Sequence, residues 1–383
     1  MAQHPPVIIG AGIGGLTLAR CLLKRGLPTV LYEKMPLRPR HGYGITLHAS
    51  SYRPLLDVLE MDEVAFKRHV AVDGMGAINP KALVHPNTIE PSSFRAHRGK
   101  LEDLLRKGLN IQYEHALGKI EQAPDGHPIL HFHNNQKLKT NYVIGADGIH
   151  SNTRKSTSPT TTELKILPYI AFNGKRRVPR TLFDKLYAPA MIDTNVLETK
   201  QNDILLNISI NERTPNDPIS MLWIYSRPSR GPTDPLYKPN RPLSGATDIP
   251  EAFYQEINTL ERKNLKQPFK DIFDAEKMST DRVLHWLMRS LLVSKQDLLN
   301  LASKGVFLIG DAAHAQPIIG GQGANAAMRD GVELAGCIYE EGSAGVSKWC
   351  EGRYESWVRG VEDGERVIVE MHEDSVGVYS IDG

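Results

Sequence analysis

The sequence predicts an α/β fold in which a mainly antiparallel β-sheet is inserted into a parallel-sheet domain, with a helix near the C-terminal end. Three observations lead to this prediction. A β-α-β pattern begins the chain, strand-like apolar runs follow in its middle, and a charged amphipathic segment lies near its end. With 383 residues the chain is long enough for one large domain with an inserted sheet, or for two interleaved domains.

The β-α-β pattern occupies the N-terminal end of the chain. Residues 6–9 predict a short buried strand, residues 10–15 a glycine-rich turn, and residues 16–25 a helix that ends at Gly26. Residues 29–33 predict the second strand, so the unit has the length that a parallel strand pair requires. Further elements expected in this domain are a helix over 101–107, a strand from Asn110, and buried strands over 142–145 and 306–310.

The middle of the chain has a different character. Residues 204–210 and 219–225 predict antiparallel strands without a helix between them, and six prolines within 228–250 predict a long surface loop. Residues 346–371 predict an amphipathic helix. We therefore predict a discontinuous first domain of residues 1–70, 95–163 and 289–345, a β-sheet domain of residues 71–94 and 164–288, and a C-terminal helix and tail over 346–383.

Composition argues against several classes of function. Lys and Arg total 46 against 44 for Asp and Glu, so the net charge of +2 lacks the one-sided basic character of nucleic-acid-binding proteins. The three cysteines are widely spaced, which argues against a metal site or a dithiol redox site. The apolar stretch 7–23 has no Lys or Arg before it, and no apolar run approaches the ~18 residues of a membrane span. We expect a cytoplasmic monomer or weak homodimer without a membrane anchor.

The glycine-rich turn has the sequence GAGIGG over residues 10–15, which satisfies the G-x-G-x-x-G pattern in its strand-turn-helix context. Gly10 permits the tight turn, Gly12 lets a pyrophosphate approach the backbone, and Gly15 allows close packing of helix on strand. The free N–H groups of the following helix favour a negatively charged group. Glu33 ends the second strand, where a carboxylate accepts hydrogen bonds from ribose hydroxyls. The sequence therefore predicts a Rossmann-like dinucleotide site.

Four further motifs give the sequence its family resemblance. They are HRGKL over 97–101, YVIGADGIHSNTR over 142–154, VFLIGDAAH over 306–314 and PIIGGQGANAAMRD over 317–330. In order and spacing they resemble the FAD-dependent aromatic hydroxylase family, the single-component flavin monooxygenases of the para-hydroxybenzoate and salicylate hydroxylase type. The resemblance implies a glutathione-reductase-like FAD-binding domain with an inserted substrate-binding sheet. Arg40 precedes GYGITL over 42–47, which is similar to the family's stretch beside the flavin.

The resemblance implies specific contacts with FAD. Asp311 follows a central strand and suits the hydroxyls of the ribityl chain, although it could instead cap a helix. Gly320, Gly321 and Gly323 precede a helix whose positive end would favour negative charge on the reduced flavin. Alternatively, Asp147 is only a turn residue and Arg98 only a surface charge. The predicted cofactor-binding residues are Gly10, Gly12, Gly14, Gly15, Glu33, Lys34, Arg40, Arg98, Asp147, Arg154, Asp311, Pro317, Gly320, Gly321, Gly323, Ala324 and Asn325.

The sequence contains one complete dinucleotide fingerprint, so NAD(P)H is expected to bind transiently and without a domain of its own. The resemblance implies that NAD(P)H reduces the flavin, that O2 forms a C4a-hydroperoxide, and that this species hydroxylates a small aromatic or polycyclic substrate. The same chemistry also performs epoxidation, oxidative decarboxylation or Baeyer–Villiger oxidation. A non-catalytic binding protein similar to a Rab GDP-dissociation inhibitor is the alternative from another class.

The inserted sheet offers candidates for the substrate pocket. Trp223 and Tyr225 share one face of a predicted strand, and ordinary core packing is the alternative for both. Arg227 and His285 lie nearby in the same region of the sequence. His48 stands where many salicylate-type members of the family carry Pro. No single catalytic residue is assigned from the sequence, and no metal is expected.

Overall fold

The computed structural model describes residues 6–37, 42–74, 92–156, 162–214, 218–261, 265–320 and 322–373. Backbone contacts divide these residues into two compact units. The first unit holds the described residues within Met1–Ile78, Glu90–Lys165 and Arg289–Gly364. The second unit holds those within Ile166–Met288 and Glu365–Gly383.

Strands and helices are numbered in chain order within the described residues. The strands are β1 (Val7–Ile9), β2 (Val30–Tyr32), β3 (Gly44–Leu47), β4 (Phe94–His97), β5 (Asn110–Gln112), β6 (Leu117–Gln122), β7 (Pro128–Phe132), β8 (Lys137–Lys139), β9 (Val143–Gly145), β10 (Lys165–Val178), β11 (Val196–Gln201), β12 (Ile204–Glu212), β13 (Ile219–Pro228), β14 (Arg282–Leu292), β15 (Val306–Leu308) and β16 (His314–Ala315). The helices are α1 (Ile13–Lys24), α2 (Ala49–Leu59), α3 (Glu63–Val70), α4 (Arg98–Arg106), α5 (Asn152–Ser156), α6 (Arg180–Leu186), α7 (Glu251–Glu261), α8 (Phe269–Ile272), α9 (Ala275–Thr280), α10 (Lys295–Ala302) and α11 (Gly323–His372).

A parallel sheet forms the centre of the first unit. Its strand order is β15-β9-β1-β2-β5, and each neighbouring pair is parallel. The central side chains Ile8, Leu31 and Ile144 are fully buried. Such uninterrupted apolar runs are typical of a sheet that helices cover on both faces. The α/β prediction and its N-terminal β-α-β unit are therefore confirmed.

Two helices begin earlier than the sequence predicts. α1 begins at Ile13, and the absence of a side chain on Gly15 permits this early start, since a Cβ atom there would lie 2.1 Å from the Gly10 carbonyl oxygen. α4 begins at Arg98, because the His97 side chain accepts a hydrogen bond from the Lys100 N–H and caps the helix there. In both cases a residue assigned to the preceding turn lies in the helix itself.

The last helix is longer than predicted. α11 starts at Gly323 and continues to His372, but at Gly342 the backbone takes φ +62° and ψ −139°, which are not helical angles. Gly342 therefore separates two helical segments. The first segment continues the glycine-rich motif that begins at Pro317. The second segment contains the amphipathic helix that the sequence predicts over 346–371.

The second unit is built on the predicted antiparallel sheet. Its strand order is β11-β12-β13-β10-β14, and β14 continues into the first unit, where Leu291 and Leu292 pair with β16. Tyr225 lies opposite Phe172 and Trp223 opposite Gly174, which leaves room for the indole ring. The helices α6 to α9 were not predicted. Residues 229–250 contain no strand and only a short 3-10 turn, Leu243–Thr247. This agrees with the long loop that the sequence predicts there.

Candidate functional site

The glycine-rich turn after β1 leaves open space beside its backbone. At Gly10 φ is +102°, and a Cβ atom there would lie 2.4 Å from the carbonyl oxygen of Ala146. A Cβ atom on Gly15 would lie 2.1 Å from the carbonyl oxygen of Gly10, whereas one on Gly12 would meet no described atom within 4 Å. A ligand therefore has room to approach the backbone at Gly12. The uncapped N-terminus of α1 favours an anionic group such as a pyrophosphate there.

Glu33 connects this turn to the second strand. One of its carboxylate oxygens accepts a hydrogen bond from the Ala11 N–H at 2.9 Å, and the other accepts one from the Met35 N–H at 2.9 Å. The residue is 5% exposed. The carboxylate is thus held rigidly beside the turn, at the position where the sequence predicts contact with an adenosine ribose.

Asp311 is an exposed residue three positions after the end of β15. It sits inside a 3-10 turn, Gly310–Ala312, whose N-cap residue is Ile309, so Asp311 does not cap a helix. Solvent reaches the side chain, yet the surrounding protein desolvates the carboxyl group and raises its pKa. No described residue donates a hydrogen bond to this carboxylate, and a Cβ atom on Gly323 would lie 3.5 Å from its Oδ1 atom. Both oxygens are therefore free to accept bonds from ligand hydroxyls.

Asp330 supports the Asp311 turn from inside the protein. Its Oδ2 atom accepts a bond from the Gly310 N–H at 3.0 Å and lies 2.6 Å from Nε2 of His314. Its Oδ1 atom accepts bonds from Trp357 at 3.1 Å and from Arg353 at 3.3 Å. Burial alone would raise the pKa of this fully buried carboxyl, but His314 and the other donors hold the pKa below its ordinary value.

Sequence reasoning did not single out Asp330, although a usable signal was present. Asp330 lies seven residues after Gly323, which is two helical turns along α11, so it lies on the same face of the helix as Gly323. Arg353 and Trp357 gave no comparable signal, because they lie beyond the break at Gly342 and their approach to Asp330 depends on the tertiary fold.

Asn325 fastens the first turn of α11 to β3. Its side chain accepts a bond from the His48 N–H and donates one to the Thr46 carbonyl, both at 2.9 Å. The His48 ring, only 3% exposed, places Nε2 3.0 Å from the Gln322 side chain and Nδ1 3.3 Å from Ser93 Oγ. His48 therefore lies beside Gln322, the residue before the start of α11. Its role toward a substrate stays a prediction.

Arg98 is partly sheltered rather than a free surface charge. Its guanidinium donates to Glu102 at 2.9 Å and to the Tyr43 hydroxyl at 2.6 Å, and it lies over the Tyr43 ring. Burial would lower the pKa of Arg98, but Tyr43 and Glu102 together raise it above its ordinary value. The cation is thus permanent and ordered.

Asp147 and Arg154 order the loop between β9 and α5. Asp147 accepts bonds from the Ser151 hydroxyl at 2.5 Å and from the Thr153 N–H at 3.0 Å. Arg154 donates to the carbonyl oxygens of Ala312 at 2.8 Å and Ile149 at 2.7 Å, which joins this loop to the turn that carries Asp311. Both residues have defined structural partners here, and their contact with FAD stays a prediction.

The other predicted cofactor residues are distributed around these groups. Lys34 is exposed after Glu33, and Gly14 lies against Ala327 of α11, which brings the two helices together. Arg40 and Gly321 lie outside the described residues. Two predicted cofactor residues precede α11: Pro317 is buried, and Gly320 has φ +113°. Two more, Gly323 and Ala324, are the first residues of α11.

The predicted substrate-pocket residues of the second unit lie on an aromatic, buried face of the sheet. The Trp223 indole donates to Asp281 at 2.8 Å, and the Tyr225 hydroxyl donates to Glu256 at 2.6 Å. Arg227 is 1% exposed and pairs with Glu256 and with Asp234 of the long loop. These three side chains therefore have internal partners that hold the sheet, α7 and the loop together.

His285 lies in the same aromatic cluster. Its ring stacks on Phe172 with centroids 4.6 Å apart, and its buried Nδ1 atom has no hydrogen-bond partner among the described residues. Burial lowers the pKa of His285 to about 4, so the ring is neutral at pH 7. The surroundings of His285 are those of a core residue, and its predicted role in the pocket remains untested.

The opposite face of the same sheet carries a row of buried polar side chains that sequence reasoning missed. Asn207, Ser209 and Asn211 alternate along β12 and are at most 1% exposed. The Oδ1 atoms of Asn207 and Asn211 and the Oγ atom of Ser209 have no hydrogen-bond partner among the described residues. Buried polar atoms are nearly always paired in folded proteins, so this row is a candidate for contact with a ligand.

Two kinds of feature are not found in the parts of the chain that the structure describes. No group of three or more His, Cys, Asp or Glu side chains there has the arrangement of a metal site. None of the helices traced there combines the length and the apolar character that crossing a membrane requires.

The groups of the first unit fit FAD. The open backbone at Gly12 and the N-terminus of α1 suit a pyrophosphate, and Glu33 lies beside this turn. Asp311 offers a polyol chain a carboxylate that accepts no hydrogen bond from a described residue. The N-terminus of α11, ordered by Asn325, suits a flavin ring that gains negative charge on reduction.

Comparisons with known proteins agree with this fit. The family model described as "FAD binding domain" matches residues 4–168 and 193–347, well over half of the chain. The FAD-dependent monooxygenase nscC of Arthroderma benhamiae is 33% identical over 367 residues, covering 91% of this chain and 88% of that protein. The FAD-dependent monooxygenase vrtH of Penicillium aethiopicum is 30% identical, covering 95% of this chain and 91% of that protein.

Solved structures share the fold at lower identity. The 2,6-dihydroxypyridine-3-hydroxylase of Arthrobacter nicotinovorans has a TM-score of 0.75 and 18% identity, covering all of this chain and 95% of that one. Klebsiella pneumoniae HpxO, complexed with FAD and uric acid, has a TM-score of 0.69 and 17% identity, covering 97% of this chain and 90% of that one. The predicted resemblance and the predicted cofactor are confirmed, and the chain belongs to the family of FAD-dependent monooxygenases.

Proposed function

We propose that this FAD-dependent monooxygenase takes electrons from NAD(P)H and uses O2 to hydroxylate a small aromatic or polycyclic substrate. The observation that carries the proposal is the FAD site of the first unit, in which the backbone at Gly12 is open and the Glu33 carboxylate is fixed beside it. Bound FAD supplies hydride acceptance and oxygen activation. The chain itself binds the substrate, orients it and holds the proton that leaves the substrate hydroxyl.

The single dinucleotide fingerprint supports a transient role for NAD(P)H. The glycine-rich turn and Glu33 form one cradle, and that cradle suits the resident FAD. NAD(P)H would then bind transiently, without a glycine-rich turn of its own, as the family resemblance implies.

The two faces of the second unit's sheet differ in what they can offer a substrate. Trp223, Tyr225 and Arg227 already have partners on the aromatic face. On the polar face, Asn207 Oδ1 and Ser209 Oγ have no hydrogen-bond partner among the residues that the structure describes, and Ile224 lies opposite Asn207 as an apolar neighbour. Acceptors flanked by an apolar surface suit a flat ring with hydroxyl donors, because each such donor would satisfy a buried oxygen.

Glu198 gives the polar face a proton acceptor. It lies opposite Asn207 in the strand register, and Asn207 donates to its Oε2 atom at 3.4 Å. Solvent reaches Glu198, yet the surrounding protein desolvates its carboxyl group and raises the pKa to about 7. A base with this pKa is suited to proton transfer at neutral pH. We propose that Glu198 accepts the proton of a substrate hydroxyl, which makes the ring more nucleophilic.

The proposal is tested by following NADPH and NADH oxidation by the yellow, FAD-loaded protein with a panel of phenolic compounds. We expect a true substrate to accelerate the bleaching of the flavin band and to yield a product with one added oxygen atom by mass. Loss of carbon dioxide, or insertion of oxygen beside a carbonyl, would identify one of the other reactions. A flavin that NAD(P)H never reduces, with any compound of the panel, would contradict the proposal.

The substrate face is tested by paired variants. Asn207→Leu and Ser209→Ala should each raise KM by about tenfold, because each removes a hydrogen bond to the substrate. Tyr225→Phe on the aromatic face is the matched control and should leave KM within about twofold. A KM that changes with Tyr225→Phe but not with Asn207→Leu would place the substrate on the other face.

A further inference from the structure

His48 joins the end of β3 to the start of α11 through two separate contacts. Its backbone N–H donates a hydrogen bond to Asn325 Oδ1 at 2.9 Å, and its ring places Nε2 3.0 Å from Nε2 of Gln322. The backbone contact needs no particular side chain, since every residue except proline has this N–H group. The ring is therefore not needed to hold the strand to the helix. Proline, which many salicylate-type members of the family carry at this position, would provide neither contact.

The contact between His48 and Gln322 defines where the proton of the imidazole lies. A side-chain amide nitrogen donates hydrogen bonds and does not accept them, so Nε2 of His48 is the acceptor. The proton of the neutral ring is then on Nδ1, which lies 3.3 Å from the Ser93 hydroxyl. His48 is thus neutral, and its two neighbours select one tautomer.

Other buried histidines of the chain have partners of a different kind. Nε2 of His314 lies 2.6 Å from a carboxylate oxygen of Asp330, and Nδ1 of His372 lies 2.7 Å from a backbone carbonyl oxygen. Such oxygens accept hydrogen bonds, so the imidazole is the donor to them. At His48 the direction is reversed, because the ring accepts the bond and so determines which end of the Gln322 amide faces it.

The bond to His48 leaves the other end of the Gln322 amide available. No described residue donates a hydrogen bond to its carbonyl oxygen Oε1, and the residue is half-buried. The next residue, Gly323, is the first of α11, and a Cβ atom on it would lie 3.5 Å from Oδ1 of Asp311. Gln322 therefore lies beside the turn that is predicted to receive the ribityl chain and the flavin ring.

We infer that His48 is a positioning residue that holds the Gln322 amide with its carbonyl oxygen toward the flavin ring. An oxygen in this position accepts a hydrogen bond from an N–H group of the ring, and reduction gives the flavin an additional N–H group. A fixed acceptor therefore favours the reduced flavin and raises its midpoint potential, which eases reduction by an electron donor. The inference concerns the FAD that the chain binds, and it does not depend on the substrate or on the choice of NADH or NADPH.

The test measures the midpoint potential of bound FAD by anaerobic titration with reference dyes, so neither substrate nor NAD(P)H is needed. His48→Leu removes the ring acceptor but keeps the backbone N–H, and Gln322→Leu removes the amide. We expect each substitution to disfavour the reduced flavin by about tenfold, which lowers the potential of a two-electron couple by about 30 mV. A shift below about threefold, or about 14 mV, in either variant would overturn the inference.

A double variant tests whether the two side chains act as one unit. His48→Leu combined with Gln322→Leu should lower the potential no further than the larger single shift, because each substitution alone already removes the positioned oxygen. Shifts that add would show that the two residues act separately, and the inference would fail.

A conservative variant separates the hydrogen bond from the packing of the ring. In His48→Gln a carbonyl oxygen can replace Nε2 as the acceptor, so this variant should recover at least half of the potential that His48→Leu loses. No recovery would show that the ring acts through its shape, which contradicts the inference. His69→Leu, at an exposed histidine of α3, is the matched control and should keep the wild-type potential.

FAD affinity, measured in parallel by flavin fluorescence, distinguishes positioning from support of the fold. We expect the Kd for FAD to stay within about threefold of wild type in His48→Leu. A Kd that rises by about tenfold or more while the potential stays unchanged would show that His48 only stabilises the turn, and the inference would fail. Failure of NADPH and NADH to reduce the flavin would contradict the proposed function but leave the dye titration intact.

Discussion

Asp330 has hydrogen-bond donors on both carboxylate oxygens and no exposure to solvent. The carboxylate joins the Gly310 turn to two residues of the second segment of α11, Arg353 and Trp357. A buried carboxylate with this many donors stabilises the fold only while its charge is present, because its neighbours would otherwise be left without a partner.

Asp330→Asn is predicted to lower the free energy of unfolding by on the order of 3 kcal/mol, because it leaves the buried donors without their anion. Urea unfolding of the FAD-loaded protein measures this change. Asp103→Asn is the control, since Asp103 is 67% exposed and its one ion pair among the described residues is with Arg106, so its loss should change stability by about 0.5 kcal/mol or less. Equal effects of the two substitutions would show that the Asp330 network contributes little.

Glu198 should make stability depend on pH. Its pKa is about 7 in the folded protein against an ordinary value of 4.5, so the folded state binds the proton more tightly than the unfolded state. Its stabilising contribution is therefore present below pH 4.5 and is lost as pH rises through 7. Glu198→Gln should remove this loss and gain stability relative to wild type between about pH 4 and about pH 8. Parallel melting-temperature profiles of the two proteins would contradict the pKa assignment.

At the residue scale, the sequence singles out residues whose motif carries its own chemistry. Gly12 and Asp311 were predicted because turn geometry and strand ends restrict which residues serve there. A Cβ atom on Gly12 would meet no described atom within 4 Å and Asp311 is exposed, while the contact of both residues with FAD stays a prediction. Asn207 and Ser209 were not found. Their significance comes from the lack of a partner among the described residues, and no local sequence pattern reveals such a lack.

Helices α1 and α11 pack closely through glycine. A Cβ atom on Gly331 would lie 2.8 Å from the backbone nitrogen of Leu18 and 2.9 Å from the Thr17 side chain. A Cβ atom on Gly352, in the second segment of α11, would meet no described atom within 4 Å. The two glycines therefore differ in what a side chain would meet, although both lie in the same helix.

Gly331→Ala is predicted to destabilise the protein by about 1–3 kcal/mol, because the helices must separate to admit the methyl group. Gly352→Ala should instead stabilise it by about 0.5–1 kcal/mol, since alanine favours a helix and meets no obstacle. Chemical denaturation of both variants measures the difference. Similar free energies for the two variants would contradict the close packing of α1 on α11.

The elements themselves were predicted unevenly. β1, β2 and β12 were found because apolar runs and alternation are local signals. The helices α6 to α9 were missed, because the region was interpreted as a sheet. Their apolar faces are short and are recognised only once the helices are seen packed against that sheet. The early starts of α1 and α4 depend on a backbone contact and a side-chain cap that become visible only in three dimensions.

At the scale of the whole molecule, FAD should contribute to stability as well as to chemistry. A ligand that binds only the folded state stabilises it by mass action, by about 2.7 kcal/mol at a free concentration one hundred times its Kd. Unfolding of the apoprotein with increasing FAD should show this dependence. FMN, which lacks the adenosine that Glu33 is predicted to hold, is the control and should stabilise less at equal concentration. Equal stabilisation by FMN would show that the glycine turn and Glu33 do not hold the adenosine half.

The break at Gly342 fixes the spacing of the chain between Asp330 and Trp357. Both residues must point to the same interior position although a non-helical residue lies between them. Inserting or deleting one residue after Gly342 would rotate the second segment by about 100°, since a helix has 3.6 residues per turn. The indole and guanidinium donors would then leave Asp330, so length changes here should be far less tolerated than in the loop 229–250.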